Sequence, residues 1–570
     1  MKCQLRNLLL CAVLLPGAVP FASAASSEVA DAAMNGDKSA VRALLQRKAD
    51  VNAPQVDGTT ALEWAARNDD IETADILIRA GAKITAANLD GATPLLMASI
   101  NGSASMLAKL LDAGADPNTP VTASNDTALM IASRTGRTDA LKVLLDHGAN
   151  VNAKESWGGT TAIMWAVAER RPAAVQVLIE RGADLNVRSR FLPAANSRTY
   201  EGSRPVDLKP GQGATELSSG VLTPLMFAAR EADIASTRLL VKAGADLNLR
   251  DGDGKDALSL ALFNGNYEVA SFLIDSHANL NAADAQGFTP LFWAIDRRNM
   301  ETAPNFPWKV TADPMFLIRK LLDGGANPNA IINNTPRSRM REGSPRIVFA
   351  TALMRAAFAA DLEVFNLLLA HGADPHIKSS DRETTLEAAS GLGYIRSYHK
   401  ERPVADRLQI IKTLIQSGED VNAADNYGIT SLMVAANMGE VSIIQYLIDQ
   451  GADLDAHDLG KKNDGQFGSS IEPLMPVDYA IGVGTFIPNN AVFINEDAYK
   501  LISRLMKERG IEHTTSECTL RGFTCPVANV DPKTATPSEI ARARKVQTGY
   551  QVDGITGGLA VKDKESKDKK

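Results

Sequence analysis

Two kinds of short helical pattern alternate along the chain, separated by polar turns. The first is rich in alanine, as at Leu95 to Ser99, and the second has apolar residues at helical spacing, as at Leu141 and Leu144. Thr-Pro-Leu or Thr-Ala-Leu precedes the first kind, and a glycine such as Gly148 follows the second. Because threonine caps a helix start, proline fits its first turn and glycine ends a helix in the left-handed conformation, the pattern predicts pairs of helices.

These helix pairs recur with a nearly constant period. The phrase Gly-Ala-Asp-x-Asn, with variants, follows each second helix, and most intervals between successive copies are 33 or 34 residues. The copies begin at Lys48, Gly81, Gly114, Gly148, Gly182, Gly244, His277, Gly325, Gly372, Gly418 and Gly451. A period of this length is typical of a repeat array in which each repeat buries its apolar face against its neighbours.

The repeat resembles the ankyrin repeat, which combines a turn and two antiparallel helices with the signature T-P-L-H-x-A. The resemblance covers roughly residues 27–513 and rests on Thr60-Ala61-Leu62, Thr93-Pro94-Leu95, Thr127-Ala128-Leu129, Thr223-Pro224-Leu225, Thr289-Pro290-Leu291 and Thr351-Ala352-Leu353. It implies an all-α ankyrin-repeat α-solenoid of about 11–12 helix-turn-helix repeats with β-hairpin loops, several with long insertions.

The chain departs from the family at the signature histidine. Apolar side chains take its place at Leu96, Met130, Met164, Met226, Phe292, Met354 and Met433. In the family this histidine hydrogen-bonds between neighbouring repeats, so we expect thioether and apolar packing to replace those polar ties. A methionine row at helical spacing favours a core position, and an adaptable binding surface is the alternative.

Composition and charge exclude several other classes of protein. With 45% hydrophobic residues the chain is too apolar to be disordered throughout, and a net charge of −7 argues against nucleic-acid binding as its main role. After the first 24 residues no apolar run is long enough to span a membrane. Aromatic residues make up only 5% of the chain, which suits a stack of small helices.

The start of the chain predicts export. Residues 1–24 contain a positive region with Lys2 and Arg6, an apolar stretch and an Ala-Ser-Ala site ending at Ala24, which is typical of a secretory signal peptide. Its removal would change the net charge from −7 to −9, because both positive side chains are lost. A lipoprotein signal at Cys11 is the weaker alternative, since the apolar stretch before it is short. We expect the mature protein to be periplasmic or secreted.

After the repeat region, residues 25–513, the sequence predicts a pinned segment and then a tail. The segment 514–530 contains Cys518 and Cys525, which in an exported chain favour a local disulfide over a redox or metal site. Residues 531–570 are polar and end in a lysine-rich stretch, which is typical of a disordered tail.

Catalytic motifs are missing from the sequence. It contains no H-E-x-x-H, G-x-S-x-G, Walker-type or C-x-x-C motif. His147 and His371 precede glycines at helix ends, where a basic residue suits the helix dipole, and His277 replaces such a glycine. The Asp-x-Asn pairs recur at one turn of each repeat without the terminal glutamate of a calcium loop, so we interpret them as turn residues. We therefore expect no enzyme activity, cofactor or metal site.

Long insertions interrupt the period, and two of them are basic hairpin extensions in an acidic chain. Their cationic and aromatic residues are Arg188, Arg190, Phe191, Arg198, Tyr200 and Arg204 in the first, and Arg337, Arg339, Arg341 and Arg346 in the second. Because hairpins of successive repeats align along one edge, we expect a positive, partly aromatic rim that faces a carboxylate- or phosphate-bearing partner. The alternative is that both are solvated polar loops.

These features predict a non-enzymatic scaffold or regulator that binds a protein partner outside the cytoplasm. The chain is similar in type to exported bacterial ankyrin proteins, and in the family the concave face and the hairpins bind other proteins. Two alternatives stay open. The insertions would form a small-molecule or metal site of an enzyme or accessory subunit, or the protein would be a secreted effector that binds host proteins.

Overall fold

The helical prediction is confirmed by the computed structural model, which describes residues 27–190, 221–299, 313–332, 350–391, 402–459, 473–480 and 495–513. Within these ranges the chain forms α-helices and no β-strand, and the hairpin loops contribute one isolated β-bridge, between Ala424 and Thr430. The described residues belong to two compact units, an N-terminal unit (27–190 and 221–260) and a C-terminal unit (261–513).

The described residues of the N-terminal unit form six pairs of helices. The first helices of the pairs are α1 (Glu28–Met34), α3 (Ala61–Arg67), α5 (Pro94–Asn101), α7 (Ala128–Thr135), α9 (Ala162–Ala168) and α11 (Pro224–Glu231). The second helices are α2 (Lys38–Gln46), α4 (Ile71–Arg79), α6 (Ala104–Asp112), α8 (Thr138–Asp146), α10 (Pro172–Glu180) and α12 (Ile234–Lys242). First helices pack in one row and second helices in another, so each pair is covered by its neighbours.

The same alternation continues in the C-terminal unit, whose boundary falls within α13 (Ala257–Asn264). The following first helices are α15 (Pro290–Asn299), α17 (Ala352–Phe358), α19 (Thr385–Ser390), α21 (Ser431–Met438) and α23 (Pro476–Ala480). The second helices are α14 (Tyr267–Asp275), α16 (Met315–Asp323), α18 (Leu362–Ala370), α20 (Val404–Gln416), α22 (Val441–Asp449) and α24 (Glu496–Glu508). Of the helices described, none has the length and apolar character needed to cross a membrane.

Helix ends follow the signals in the sequence. Thr93 accepts a hydrogen bond from the Leu96 amide at 3.1 Å, and Pro94 occupies the first turn of α5. At the other end, Gly148 after α8 has φ +86°. His277, which replaces this glycine in its own repeat, has φ +64°, so the predicted left-handed position is confirmed.

The signature position lies in the core. Met130, Met164, Met226, Met354 and Met433 are at most 1% exposed. The core interpretation of the methionine row is therefore confirmed and the binding-surface alternative is wrong. Several of these sulfurs also approach a backbone N–H at the helix start, as Met130 Sδ does at 3.5 Å from the Thr127 amide.

Polar ties between repeats nevertheless persist, in contrast to what the loss of the signature histidine led us to expect. They come from the asparagine of the Asp-x-Asn pair: Asn118 Nδ2 donates to the Gly148 carbonyl at 3.0 Å, and its Oδ1 accepts from the Asn150 amide at 2.7 Å. Asn52, Asn152, Asn281, Asn329 and Asn422 make the same two contacts. The aspartate closes its own turn, as Asp116 does by accepting from the Asn118 amide, which confirms the turn interpretation.

Several predicted segments lie outside the described residues. They are the signal peptide 1–24, the segment 514–530 with Cys518 and Cys525, and the tail 531–570.

Candidate protein-binding surface

The first helices of the N-terminal unit share one position that lies directly after the signature position. Trp64, Met97, Ile131, Trp165 and Phe227 occupy it, and we call this set the first-helix face. Trp64, Met97 and Trp165 remain partly exposed, whereas Ile131 and Phe227 are buried, as are the signature residues Met130 and Met226 beside this face. The face therefore presents large side chains that the core does not fully use.

Arginine side chains stack on the aromatic members of this face. In two pairs the arginine follows the ring by three residues on the same helix, and in the third it reaches from α7 to α9. Stacking orders the flexible arginine, and tryptophan and arginine dominate binding hot spots. The distances from guanidinium carbon to ring centre are 5.1 Å for Arg67 on Trp64, 4.8 Å for Arg134 on Trp165 and 4.8 Å for Arg230 on Phe227.

The hairpin tips of the same unit carry exposed apolar side chains. Val56, Leu89 and Trp157 are 95%, 82% and 72% exposed. Backbone hydrogen bonds hold neighbouring tips in register, as from the Leu89 amide to the Asp57 carbonyl at 2.9 Å. Large apolar residues that the fold leaves in solvent along one edge are a feature of interaction sites.

At the end of this row of hairpins lies a cationic cleft of about 480 Å³. Lys154, Arg188 and Arg190 line it together with Glu155. Arg188 Nη1 donates to the Arg250 carbonyl at 3.0 Å, and Arg190 Nη1 donates to the Ser156 carbonyl at 2.7 Å. The structure thus brings together the two predicted arginines that it describes, and both remain exposed.

The Glu155 side chain in this cleft accepts hydrogen bonds from backbone amides of its own hairpin. They accept from the Trp157 amide at 2.5 Å, the Gly158 amide at 2.7 Å and the Thr160 amide at 2.8 Å. Burial acts to raise the pKa of this carboxyl, but the hydrogen bonds from Thr160, Trp157 and Gly158 outweigh it and lower the pKa. The carboxylate stays ionised and hydrogen-bonded to its own loop, and the three cations outnumber it, so the cleft keeps a positive charge that attracts an anionic group.

Eight other predicted partner-binding residues lie outside the described residues: Phe191, Arg198, Tyr200, Arg204, Arg337, Arg339, Arg341 and Arg346. Sequence reasoning in turn missed the first-helix face. Its signal was present, because the residue after the signature position is aromatic in several repeats and an arginine follows three residues later at Arg67 and Arg230.

The corresponding position in the C-terminal unit is buried. Trp293, Arg355 and Tyr479 occupy it and are at most 3% exposed. The Trp293 ring packs edge-on against Phe263, with 5.1 Å between ring centres, and its Nε1 donates to Asp284 at 3.3 Å. These side chains stabilise the C-terminal unit and do not present a surface.

A buried ionic network also occupies the C-terminal unit. Asp361 is fully buried, and its Oδ2 accepts from Arg298 Nε and from Arg402 Nη2, each at 2.8 Å. Burial acts to lower the pKa of Arg298, but Asp361 and Asp313 outweigh it and raise the pKa. Because breaking one member would leave a buried charge unpaired, we assign the network a structural role.

The histidines at helix ends are structural. His147 Nδ1 lies 2.8 Å from the Val143 carbonyl, and His371 Nδ1 lies 2.9 Å from the Leu367 carbonyl, each one turn back on its own helix. This confirms the role predicted for both residues. In the part of the chain that the structure describes, no group of three or more His, Cys, Asp or Glu residues is arranged to hold a metal ion.

Known proteins similar to this chain share its repeat. Among curated proteins, the mouse B-cell lymphoma 3 protein homolog is 28% identical over 248 residues, 43% of this chain and 44% of that protein. Human ankyrin repeat domain-containing protein 63 is 41% identical over 76 residues, 13% of this chain and 20% of that protein. The chain thus spans less than half the length of either relative.

Solved structures of ankyrin repeat domains also match. The ankyrin repeat domain of Bcl-3 has a TM-score of 0.34 at 25% identity, and the match covers 41% of this chain and 93% of that one. The human ASB11 ankyrin repeat domain has a TM-score of 0.35 at 24% identity, covering 44% of this chain and 98% of that one.

The family model for ankyrin repeats, in three copies, matches residues 29–121, 95–189, 225–304 and 353–458. Together these matches cover more than half of the chain, and they coincide with the helix pairs of the structure. The chain belongs to the ankyrin-repeat family.

Proposed function

We propose that this protein is a non-enzymatic scaffold or regulator that binds a protein partner through the N-terminal unit. The observation that carries the proposal is the first-helix face, where Trp64 and Trp165 are partly exposed and stacked by arginines. The ankyrin repeat itself supports protein–protein interaction as the general role. A partner segment that covers these rings would bury aromatic area at little cost in side-chain entropy.

The cationic cleft and the hairpin tips supply the second part of the proposed surface. Lys154, Arg188 and Arg190 would bind a carboxylate or phosphate group of the partner, while Val56 and Trp157 would contact its apolar side chains. The remaining arginines of the two basic insertions stay proposed partner-binding residues on the strength of the sequence alone. The proposed partner is therefore acidic and carries exposed apolar residues near its acidic groups.

The proposed location is an extracytoplasmic compartment, on the strength of the signal sequence in residues 1–24. Fractionation of the native host followed by mass measurement of the protein tests this point. We expect a mature protein that begins at Ala25 outside the cytoplasm. Recovery of the full-length chain from the cytoplasm would contradict it.

Affinity capture with matched variants tests the binding function. We would capture partners from the native envelope and culture fluid with the mature protein, with the double variant Trp64→Ala/Trp165→Ala, and with Lys142→Ala/Glu180→Ala on the exposed side of second helices. The wild type and the second-helix variant are expected to retain the same protein in near-equal amount, and the tryptophan variant is expected to lose it. Equal capture by all three would contradict the assignment of the surface.

A further inference from the structure

A buried arginine and a buried tyrosine lie together where α14 begins in the C-terminal unit. Arg297 on α15 is 2% exposed, and Tyr267, the first residue of α14, is 7% exposed. In the described part of the chain, Arg297 Nε, Arg297 Nη2 and the Tyr267 hydroxyl have no hydrogen-bond partner. Because buried polar groups are nearly always hydrogen-bonded, three unsatisfied donors at one place indicate a missing acceptor.

Two observations place the guanidinium beside this helix start. A Cβ built on Gly265, between α13 and α14, would lie 3.0 Å from Arg297 Nη2, so the glycine leaves the room that the guanidinium fills. Burial raises the pKa of the Tyr267 hydroxyl, and the positive charge of Arg297 and the close approach of its guanidinium to the hydroxyl act against this shift. The hydroxyl is thus protonated at neutral pH and available as a donor toward the same space.

The first turn of α14 adds backbone donors. Its N-cap residue Asn266 makes no side-chain hydrogen bond to the turn, and the N–H groups at a helix start carry partial positive charge. The nearby acidic side chains do not neutralise the positive charge at the start of α14. Glu268 is exposed to solvent, and Asp313, whose charge also acts on Tyr267, pairs with Arg298.

We propose that this place binds a small oxyanion of the phosphate or sulfate type. Arginine cannot lose its proton in a protein, and a buried cation without a counter-charge is strongly unfavourable. An oxyanion accepts from Nε and Nη2 of Arg297, from the Tyr267 hydroxyl and from the α14 amides. Because Arg297 is almost fully buried, the ligand is small.

The bound anion ties the start of α14 to α15. It would stabilise the C-terminal unit by binding the folded state alone, and the effect grows with the anion concentration. This site is separate from the first-helix face and the cationic cleft, whose residues belong to the N-terminal unit, so either proposal stands if the other fails.

Thermal unfolding and calorimetric titration of the full chain with inorganic phosphate test the proposal, with sodium chloride at equal ionic strength as the reference. For the wild type we expect saturable phosphate binding and a melting temperature that rises with phosphate beyond the chloride reference. Sulfate in a parallel titration is expected to compete with phosphate, because both present tetrahedral oxygens.

Three variants distinguish a built site from a general salt effect. Arg297→Met is expected to lose saturable phosphate binding, and Tyr267→Phe is expected to weaken the binding several-fold while it keeps the ring packing. Arg319→Met removes an exposed cation of the same unit and is expected to bind phosphate as the wild type does. If Arg297→Met does not fold, phosphate binding by Tyr267→Phe tests the proposal on its own. Absence of saturable binding to the wild type, or equal binding by Tyr267→Phe and the wild type, would overturn the proposal.

Discussion

One residue position controls the start of each first helix, and it is the position where the family signature has histidine. In several repeats it holds a methionine whose sulfur faces a backbone N–H of the cap, as at Met130 and Met226, and elsewhere it holds a glutamate or another apolar residue. Glu63 Oε2 accepts from the Thr60 amide at 2.5 Å, and Glu387 Oε2 accepts from the Thr384 amide at 2.9 Å. Glutamate and methionine therefore both contact the helix cap from this position, but only glutamate makes the contact depend on pH.

Glu387→Gln is expected to stabilise the protein at neutral pH. Burial raises the pKa of the Glu387 carboxyl to about 9, so the folded state holds this group protonated. Its contribution to stability is full below about pH 4.5 and is lost progressively as the pH rises toward 9, at a cost of about 3 kcal/mol by pH 7. Glutamine keeps the cap without that cost, since glutamine also serves at this position of a capping box.

Unfolding curves recorded between pH 4 and pH 9 check this expectation. Glu387→Gln and the wild type should be equally stable at pH 4, and the variant should become more stable than the wild type as the pH rises. Glu63→Gln, at the same position in the N-terminal unit, is the matched control. Burial raises the pKa of Glu63 as well, but less, so its gain should be smaller. Parallel pH profiles for Glu387→Gln and wild type would show that Glu387 is ionised in the folded protein.

At the scale of single elements, neighbouring repeats are joined by their turns as well as by their helices. The asparagines of the Asp-x-Asn pairs connect one helix end to the next, and the hairpin tips are connected through backbone bonds. The Leu459 amide, for example, donates to the Tyr427 carbonyl at 2.8 Å. Glycine is required where the hairpins come closest, because Gly428 has φ +79° and a Cβ there would lie 2.9 Å from the Leu459 nitrogen.

Gly428→Ala is therefore expected to destabilise the C-terminal unit by roughly 2–3 kcal/mol, from backbone strain and displacement of the next hairpin. Gly148→Ala is the matched control. Its φ is also positive, but no heavy atom lies within 4 Å of the added Cβ, and Lys48 and His277 adopt φ +63° and +64° at the same position. Its expected cost is about 1 kcal/mol. Hydrogen exchange of the amides around each glycine would measure the destabilisation in both variants. Equal effects of the two substitutions would contradict the packing argument.

The last helix pair of the described chain depends on a histidine–aspartate contact. His513 Nε2 lies 2.6 Å from Oδ1 of Asp478, which is fully buried, and this hydrogen bond raises the pKa of His513. A raised histidine pKa stabilises the folded state fully below about pH 6.5, and the contribution is lost as the pH rises through the folded-state pKa.

His513→Gln is thus expected to lower the melting temperature more at pH 5.5 than at pH 9. His147→Gln serves as the control, because its partner Asp112 is 74% exposed and a surface pair contributes little. An equal loss at both pH values would show that the imidazolium charge does not matter at this contact.

Much of this element-level structure follows from local sequence. The helix pairs, their threonine caps and the left-handed position of His277 were predictable, because each depends on residues close together in the chain. The first-helix face and the Arg298–Asp361–Arg402 network were not predicted. Arg298 and Asp361 lie 63 residues apart in sequence, and insertions between them obscure the register that brings them together.

At the scale of the whole molecule, the two compact units present the same repeat position differently. In the N-terminal unit Trp64 and Trp165 are partly exposed, whereas in the C-terminal unit Trp293 and Tyr479 are at most 2% exposed. The same sequence position thus provides surface at Trp64 and Trp165 of the N-terminal unit, and core at Trp293 and Tyr479 of the C-terminal unit. This difference is the reason why we propose partner binding for the N-terminal unit and not for the C-terminal unit.

The affinity of the purified partner for Trp165→Ala tests this account most directly, with Lys142→Ala as the control and circular dichroism to verify that both variants fold. Because a partly exposed, arginine-stacked tryptophan is typical of a hot spot, we predict that calorimetry shows binding at least about tenfold weaker for Trp165→Ala and unchanged for Lys142→Ala. Wild-type affinity in the folded Trp165→Ala protein would contradict the central claim that the first-helix face binds the partner.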